Sequence, residues 1–369
     1  LSVSIFISFC QVYETEQYHS NMIITRAPLR ISFCGGGTDV PGFYYQETGK
    51  VISMTINKYV YVFVNRPQDN VFRIKYKQIE ERDSVSEISH PIVRETLLKY
   101  HWNTRSFLDI ATMSDISGGT GLGSSSAFTV ALCRAIKAAS IDTQPRRSDI
   151  AEDAFEIERE RLSGSLGKQD HYASAFGGLN VFYFTNPTGF VYSDRFTIPQ
   201  EHAEEFCSTL ALYRIGESRV AEEILKDQEK NFEESPKVLA AGRQMTTLVE
   251  KFASALLGRR YQHCGTLLNE SWHLKKQFSE KISNQVIDGL YSRCLDAGAW
   301  GGKLLGAGTS GFLLIMRPPK ISQDIDAIMS PFSQVLVEME RYGVTTLSQK
   351  PLTPGSRIED VWIPDTSYD

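Results

Sequence analysis

No lysine follows the glycines in the stretch GGTGLGSSSA, residues 118–127. That absence excludes a P-loop, whose G-x-x-x-x-G-K-[ST] pattern brings a lysine onto the β- and γ-phosphates. The six cysteines form no C-x-x-C pair and have no histidine at ligand spacing, which excludes a zinc ribbon. In a chain of 369 residues they read as reduced, mostly buried thiols of a cytoplasmic protein. No apolar run is long enough to cross a membrane. Basic charge is not in excess, with 39 Lys and Arg against 44 Asp and Glu, so a nucleic-acid surface is not expected, although a local basic pocket stays compatible. Internal repeats and low-complexity tracts are also missing.

What is present suits a chain of roughly two domains with α+β content. The first 21 residues open on Leu1 with a short apolar run and then turn polar. They lack the basic start of a signal peptide, and we read them as lying upstream of a natural start at Met22. MIITRAPLRISFCGGGTD reads as an extended segment ending in a glycine turn, and KVISMTINKYVYVFVNR as β structure. VFRIKYKQIEE is one further strand and HPIVRETLLKYH a helix. RSFLDIATMSD is a strand leading into the glycine stretch. After the serines, Phe128, Ala131, Leu132, Ala135, Ile136 and Ala139 recur at helical spacing, which predicts an amphipathic helix. SDIAEDAFEIERERL predicts a second helix, capped by Ser148 or Asp149. Near residue 205 the pattern changes to charged helices over 220–232, 237–257, 261–277 and 284–297. GKLLGAGTSGFLLIMR then reads as strand, tight turn, strand.

Strand, glycine loop and helix in succession make a phosphate site: the first helical N–H groups have no partner within the helix, and its dipole favours negative charge there. Ser124, Ser125 and Ser126 stand where hydroxyls can cap the helix, donate to phosphate or bind magnesium. A plain turn with a serine cap needs fewer glycines and serines than this stretch has. GAGTSG, residues 306–311, matches the dinucleotide G-x-G-x-x-G spacing but runs into a strand where that motif requires a helix, so the match misleads. In CGGGTD, Thr38 and Asp39 can hold sugar hydroxyls or simply close an Asx-type turn. In GSLGKQDHYASAFGG, Asp170 lies between Lys168 and His171, and Glu158 stands upstream in a heavily charged helix. On spacing alone Glu158 reads as part of a solvated face, and His171 as a structural histidine.

Together these segments resemble the GHMP kinases. APLRISFCGGGTD is similar to their first motif, SGGTGLGSSSA to the second, which holds nucleotide phosphates, and KLLGAGTSGFLL to the third. The likeness runs from Met22 to Pro318. GLGSSSAFTVAL, GKQDHYASAFGGLN and NESWHLKKQFSEKISN resemble the heptose 7-phosphate kinase branch in particular. The resemblance implies a two-domain α+β architecture. Residues 22–205 would form a ribosomal protein S5 domain 2-like ATP-binding domain, and residues 206–369 a ferredoxin-like one, with the substrates in the cleft between them.

It implies ATP as co-substrate with Mg2+, and a small-molecule sugar or sugar phosphate as acceptor, handled by a monomer or homodimer. In the heptose reading the acceptor is the C1 hydroxyl, and the product feeds nucleotide-activated heptose for cell-surface polysaccharide. Asp170 then matches the catalytic carboxylate and Arg30 the basic residue that organises it. Gly119, Gly121, Leu122, Gly123, Ser124, Ser125 and Ser126 match the phosphate loop. Ser125 and Glu158 match the metal ligands, with Glu160 a rival. Gly36, Gly37, Thr38, Asp39, Gly306 and Gly308 match sugar-binding positions. Lys168 or Arg26 is placed as a contact for a distal sugar phosphate. Two departures stand out: Ser117, Gly118 and Gly119 where a proline usually precedes the glycines, and Thr309 and Ser310 where the third motif usually has glycine. Rival readings are a kinase of a neutral sugar such as fucose, an ATP-dependent decarboxylase, and a non-catalytic sugar and nucleotide sensor.

Overall fold

A computed structural model describes residues 22–102, 106–140, 145–216, 221–319 and 322–348. The expectation for residues 1–21 lies outside the described residues, as does Cys10. Within them, the first half holds strands β1 (Ile23–Ser32), β2 (Gly49–Asn65), β3 (Phe72–Lys75), β4 (Ile79–Arg82), β5 (Asp109–Ser114), β6 (Leu179–Phe184) and β7 (Val191–Phe196). Its helices are α1 (Pro41–Tyr44), α2 (Pro91–Lys99), α3 (Ser124–Ala139), α4 (Arg147–Glu156) and α5 (Gln169–Phe176). The segment expected to be one strand after β2 is a hairpin, β3 and β4, with β3 also running parallel to β5.

The long strand β2 organises this half. Its second part alternates, with Val60, Val62 and Val64 buried and Tyr61, Phe63 and Asn65 half-buried, as a strand with one covered face should. Its first part, from Val51 to Ile56, is buried without alternation because α5 and α8 (Pro236–Leu257) both pack on it. β1 pairs along one side of β2, while β6 and β5 divide the other. Helix α3 differs from the amphipathic expectation: every residue from Ser126 to Ile136 is buried, since strands β1 and β2 and helices α2, α4 and α5 surround it.

The second half runs α6 (Gln200–Ser208), β8 (Leu210–Ile215), α7 (Ala221–Glu234), α8, α9 (Tyr261–Lys275), α10 (Gln285–Asp296), β9 (Gly301–Leu304), β10 (Gly311–Met316), α11 (Ser322–Met329) and β11 (Gln334–Val335). Its sheet order β11-β8-β10-β9, all antiparallel, is that of a ferredoxin-like βαββαβ unit. The predicted helices and the strand–turn–strand element fall where expected. Asn284 caps α10 through a bond from the Ile287 N–H, 3.0 Å. Helix α4 is different: Arg146 is its N-cap residue and no side chain caps it, so neither Ser148 nor Asp149 does.

The boundary drawn at 205 is crossed by a later segment. Strand β12 (Thr345–Ser348) returns to the first sheet and pairs antiparallel with β1, so not all of the described residues after 205 belong to the second half. The Glu340 N–H donates to Thr55 O on the way, the Thr55 hydroxyl donates to Glu340 O at 2.7 Å, and the Gly178 N–H also donates to Glu340 O. Aromatic packing closes the seam, with Phe33 stacked on Phe252 at 5.0 Å and edge-on to Phe206. Cys34, Cys133, Cys207, Cys264 and Cys294 are buried free thiols. Among the described residues no helix is long and apolar enough to cross a membrane.

Candidate active site

A cavity of about 390 Å³ lies between the two halves, within the usual size of a small-ligand site. One wall is the start of α3. Gly123 is its N-cap in the left-handed conformation, φ 77°, and offers no side-chain cap. The serines therefore do not cap the helix; they occupy its first turn. Ser125 and Ser126 both donate to Glu158, Ser126 at 3.1 Å, while the buried Ser124 Oγ has no hydrogen-bond partner among the described residues. An orphaned hydroxyl beside free helical N–H groups on a cavity wall is a ready anion or cation contact.

Glu158 reaches this point because α4 runs on into a π-helical turn, Ile157–Arg161, a distortion that often marks functional sites. The turn brings Glu158 inward, 5% exposed, and leaves Glu160 exposed in solvent. Burial alone would raise the Glu158 pKa, but bonds from His171, Ser125 and Ser126 outweigh it and hold the carboxyl below its usual range. His171 Nε2 lies 2.6 Å from Glu158 Oε2, and the whole imidazole is buried. The solvated-face reading of Glu158 is thus corrected: it is an interior carboxylate held by three side chains.

Asp170 stands in the first turn of α5, beneath Gly123. Arg30, on β1, grips one of its oxygens: Nε donates to Oδ1 at 2.7 Å and Nη2 lies at 2.6 Å. The same guanidinium donates through Nη1 to the carbonyl of Gly121, 2.7 Å away. One arginine thus ties the carboxylate to the glycine loop, leaving Oδ2 toward the α3 terminus. The Arg30 N–H also donates to Leu122 O at 3.1 Å, so Leu122 contributes backbone while its side chain is in the core.

Comparison with known proteins agrees with this geometry. The family described as GHMP kinases N terminal domain matches residues 91–178, and GHMP kinases C terminal matches residues 252–334. A D-glycero-alpha-D-manno-heptose 7-phosphate kinase of Campylobacter jejuni is 30% identical over 308 residues, 80% of this chain and 90% of that protein. The chain belongs to the GHMP kinases. A bifunctional fucokinase/GDP-fucose pyrophosphorylase of Arabidopsis thaliana is 23% identical over 78% of this chain, matching 29% of its own length. The crystal structure of a D-glycero-D-manno-heptose 1-phosphate kinase from Bacteriodes thetaiotaomicron superposes with a TM-score of 0.73 over 90% of this chain and 100% of that one, at 22% identity. Membership makes this chain an ATP-dependent phosphotransferase with the two-domain α+β architecture of the GHMP kinases.

The third GHMP motif packs on the second. A Cβ on Gly121, φ 82°, would lie 2.2 Å from Leu305 O, and one on Gly306 would lie 2.6 Å from the Gly121 Cα. These bare backbones bring the two halves into close contact at the glycine loop. Gly306 keeps a place on the cavity wall. Gly308 does not; it packs on Ile282, which corrects its assignment to sugar. Thr309 takes the left-handed φ of 59° expected of glycine, strained for a β-branched residue, and its N–H donates to Ile282 O at 3.0 Å.

Other positions move as well. Asp39 lines the cavity with Gly36 and Gly37, but its oxygens accept from the N–H groups of Gly37, 2.9 Å, and Gln169, 3.2 Å. Burial and the nearby charge of Asp170 raise its pKa. Thr38 is fully buried, donating to Gly35 O at 2.8 Å and accepting from the Lys50 N–H at 3.1 Å, so it does not face the cavity. Lys168 turns away: its ammonium is ion-paired to Glu152 at 2.8 Å and bonded to Gly189 O at 2.9 Å. Arg26 stacks on the Tyr59 ring, 4.4 Å to its centroid, and does not line the cavity either. Neither residue is placed to hold a substrate phosphate.

Two cavity residues escaped the sequence reading, Lys275 and Lys303. Burial pushes Lys275 down to about 7, with the charge of Lys303 adding to it, and Lys303 to about 8; Asp39 pulls both the other way. Both pKa values are depressed, so between them and the ordinary value the unfolded chain binds more protons and stability rises with pH. We expect the Tm of the ligand-free protein to climb between pH 6.5 and 7.5, before the buried thiols such as Cys34, pushed up to about 12 by burial, oppose the trend by ionising in the unfolded chain. Thermal unfolding of Lys275→Met across that window should show a flatter slope; an unchanged slope would count against the lowered pKa of Lys275.

Proposed function

We propose that this GHMP kinase transfers the γ-phosphoryl group of ATP to the C1 hydroxyl of a heptose 7-phosphate. The observation that carries the reading is the single guanidinium of Arg30 holding both Asp170 and the Gly121 carbonyl, which fixes a base and a phosphate loop at one point. The backbone of residues 119–126 and the α3 terminus cradle the triphosphate. Asp170 takes the proton from the acceptor hydroxyl as its oxygen bonds to the γ-phosphorus, and the bond to the β,γ-bridging oxygen breaks to release ADP.

Ser125 and Glu158 would hold magnesium. The fit rests on an all-oxygen donor set, a carboxylate held ionised by its neighbours, and the unpartnered hydroxyl of Ser124 alongside. When bound, the ion supplies positive charge to the phosphate oxygens. The 30% identity to a heptose 7-phosphate kinase supports the sugar class.

The test is ADP release from purified protein with ATP, magnesium and a panel of sugars and sugar phosphates. Turnover on heptose 7-phosphate with C1 phosphorylation, followed by NMR, is the expected result. Turnover only on a neutral sugar such as fucose would discard the heptose assignment and keep the mechanism. ATP binding with no turnover on any acceptor would replace the enzyme with a sensor.

A further inference from the structure

Two buried ammonium groups face this cavity without an acid to pair with. Lys275, the last residue of α9, and Lys303, in β9, are 5% and 4% exposed. Among the described residues no carboxylate oxygen lies in ion-pair range of either, whereas Lys168, just as buried, has Glu152. Lysine is seldom buried without a partner, since removing its charge from water is costly.

The hydrogen bonds they do make are few. Lys275 Nζ donates to Gln228 Oε1 at 2.6 Å, and Lys303 Nζ to Phe33 O at 3.0 Å. Each ammonium has three protons, so donors remain on both. They converge on one stretch of bare backbone: Nζ of Lys275 is 2.7 Å from where a Cβ on Gly37 would stand, and Nζ of Lys303 is 3.8 Å from that of Gly36. Asp39, the acid that acts on both, already has its oxygens committed to backbone N–H groups. The triphosphate has its own cradle at α3.

We propose that Lys275 and Lys303 form the subsite that binds the phosphate group of the acceptor, against the Gly36 and Gly37 backbone. This rests on the reading of the protein as a sugar-phosphate kinase and names the residues that select a phosphorylated over a neutral sugar. A phosphate dianion between the two lysines relieves their mutual repulsion and takes their free donors in charge-assisted bonds.

The experiment measures kcat/KM at saturating ATP for heptose 7-phosphate and for the same heptose without its phosphate, in wild type, Lys275→Met and Lys303→Met. Methionine keeps the stem and removes a buried charge, so both variants should fold, and each gives an independent reading. The wild-type preference for the phosphorylated acceptor should fall about 100-fold in either variant, as expected for lost charge-assisted bonds. A preference unchanged within about twofold, whether activity falls on both acceptors or on neither, overturns the subsite. Failure of the heptose reading looks different, because wild type then does not turn over heptose 7-phosphate at all. Thermal shifts with a panel of sugar phosphates decide that case. Stabilisation by one of them that both Met variants lose keeps the subsite, and no stabilisation by any of them in wild type overturns it.

Discussion

Replacing Asp170 with asparagine should lower kcat by about 10³, the middle of the range that a positioned general base contributes, while ATP affinity changes no more than a few-fold. Asparagine keeps the shape of the side chain and can still accept from Arg30 through its amide oxygen, so the Arg30 link to Gly121 O at 2.7 Å survives. What is lost is the capacity to take a proton at the atom facing the α3 terminus. Removing the carboxylate also strips Arg30, whose side chain is 6% exposed, of its ion partner. Some loss of Tm is therefore expected, and it serves as a control rather than as the effect. Steady-state kinetics with nucleotide titration separates the two. A kcat within tenfold of wild type would mean that the acceptor proton leaves by another route and that Asp170 only positions Arg30.

The parts of this site that were legible in the sequence are those where local backbone chemistry decides the outcome. A strand running into GGTGLGSSSA and then an apolar helical period can hardly form anything but a loop over a helix start, and the structure has it at α3. The strand after GAGTSG was legible for the same reason, since FLLIM has no helical period, and β10 stands there. Side-chain direction was not legible. Lys168 precedes Asp170 by two positions and looks equally available, yet it turns onto the ring of Phe155 and the carboxylate of Glu152. Glu158 looked solvated because its neighbours are charged; only the π-helical turn brings it inward, and no spacing rule announces such a turn.

Lys275 was hidden in the same way. It sits beside Lys276 in a charged phrase, but the last turn of α9 sends one lysine into the cavity and the other to Asp288 on the surface. Lys303 lies in a short strand whose apolar neighbours gave no reason to expect a buried charge. Helix α3 was legible as a helix but not as a fully buried one, because its covering elements come from distant sequence. The return of β12 to β1 joins positions more than 300 residues apart, such as Ile24 and Ser348, with nothing local to mark it.

Gly121→Ala should destabilise the protein by about 3 kcal/mol, combining the strain of a left-handed backbone on a residue with a Cβ and the overlap that atom creates. The added Cβ meets Leu305 O at 2.2 Å, with the Gly306 nitrogen at 3.0 Å, so the clash is with backbone that cannot swing aside. Relief requires the third motif to move off the second, which separates the domains where the cavity lies. Gly121 O is also the acceptor for Arg30, so the shift passes to the partner of Asp170, and ATP affinity should fall by tenfold or more. Gly118→Ala is the control: it lies in the same loop, a Cβ there meets nothing within 4 Å, and its stability should stay within about 0.5 kcal/mol of wild type. Thermal unfolding and nucleotide titration of the two variants side by side give the answer. Should Gly121→Ala prove as stable as Gly118→Ala, the contact between the second and third motifs would not hold the domains together. The third motif's glycines would then need another explanation, with Gly306 facing ligand rather than the phosphate loop.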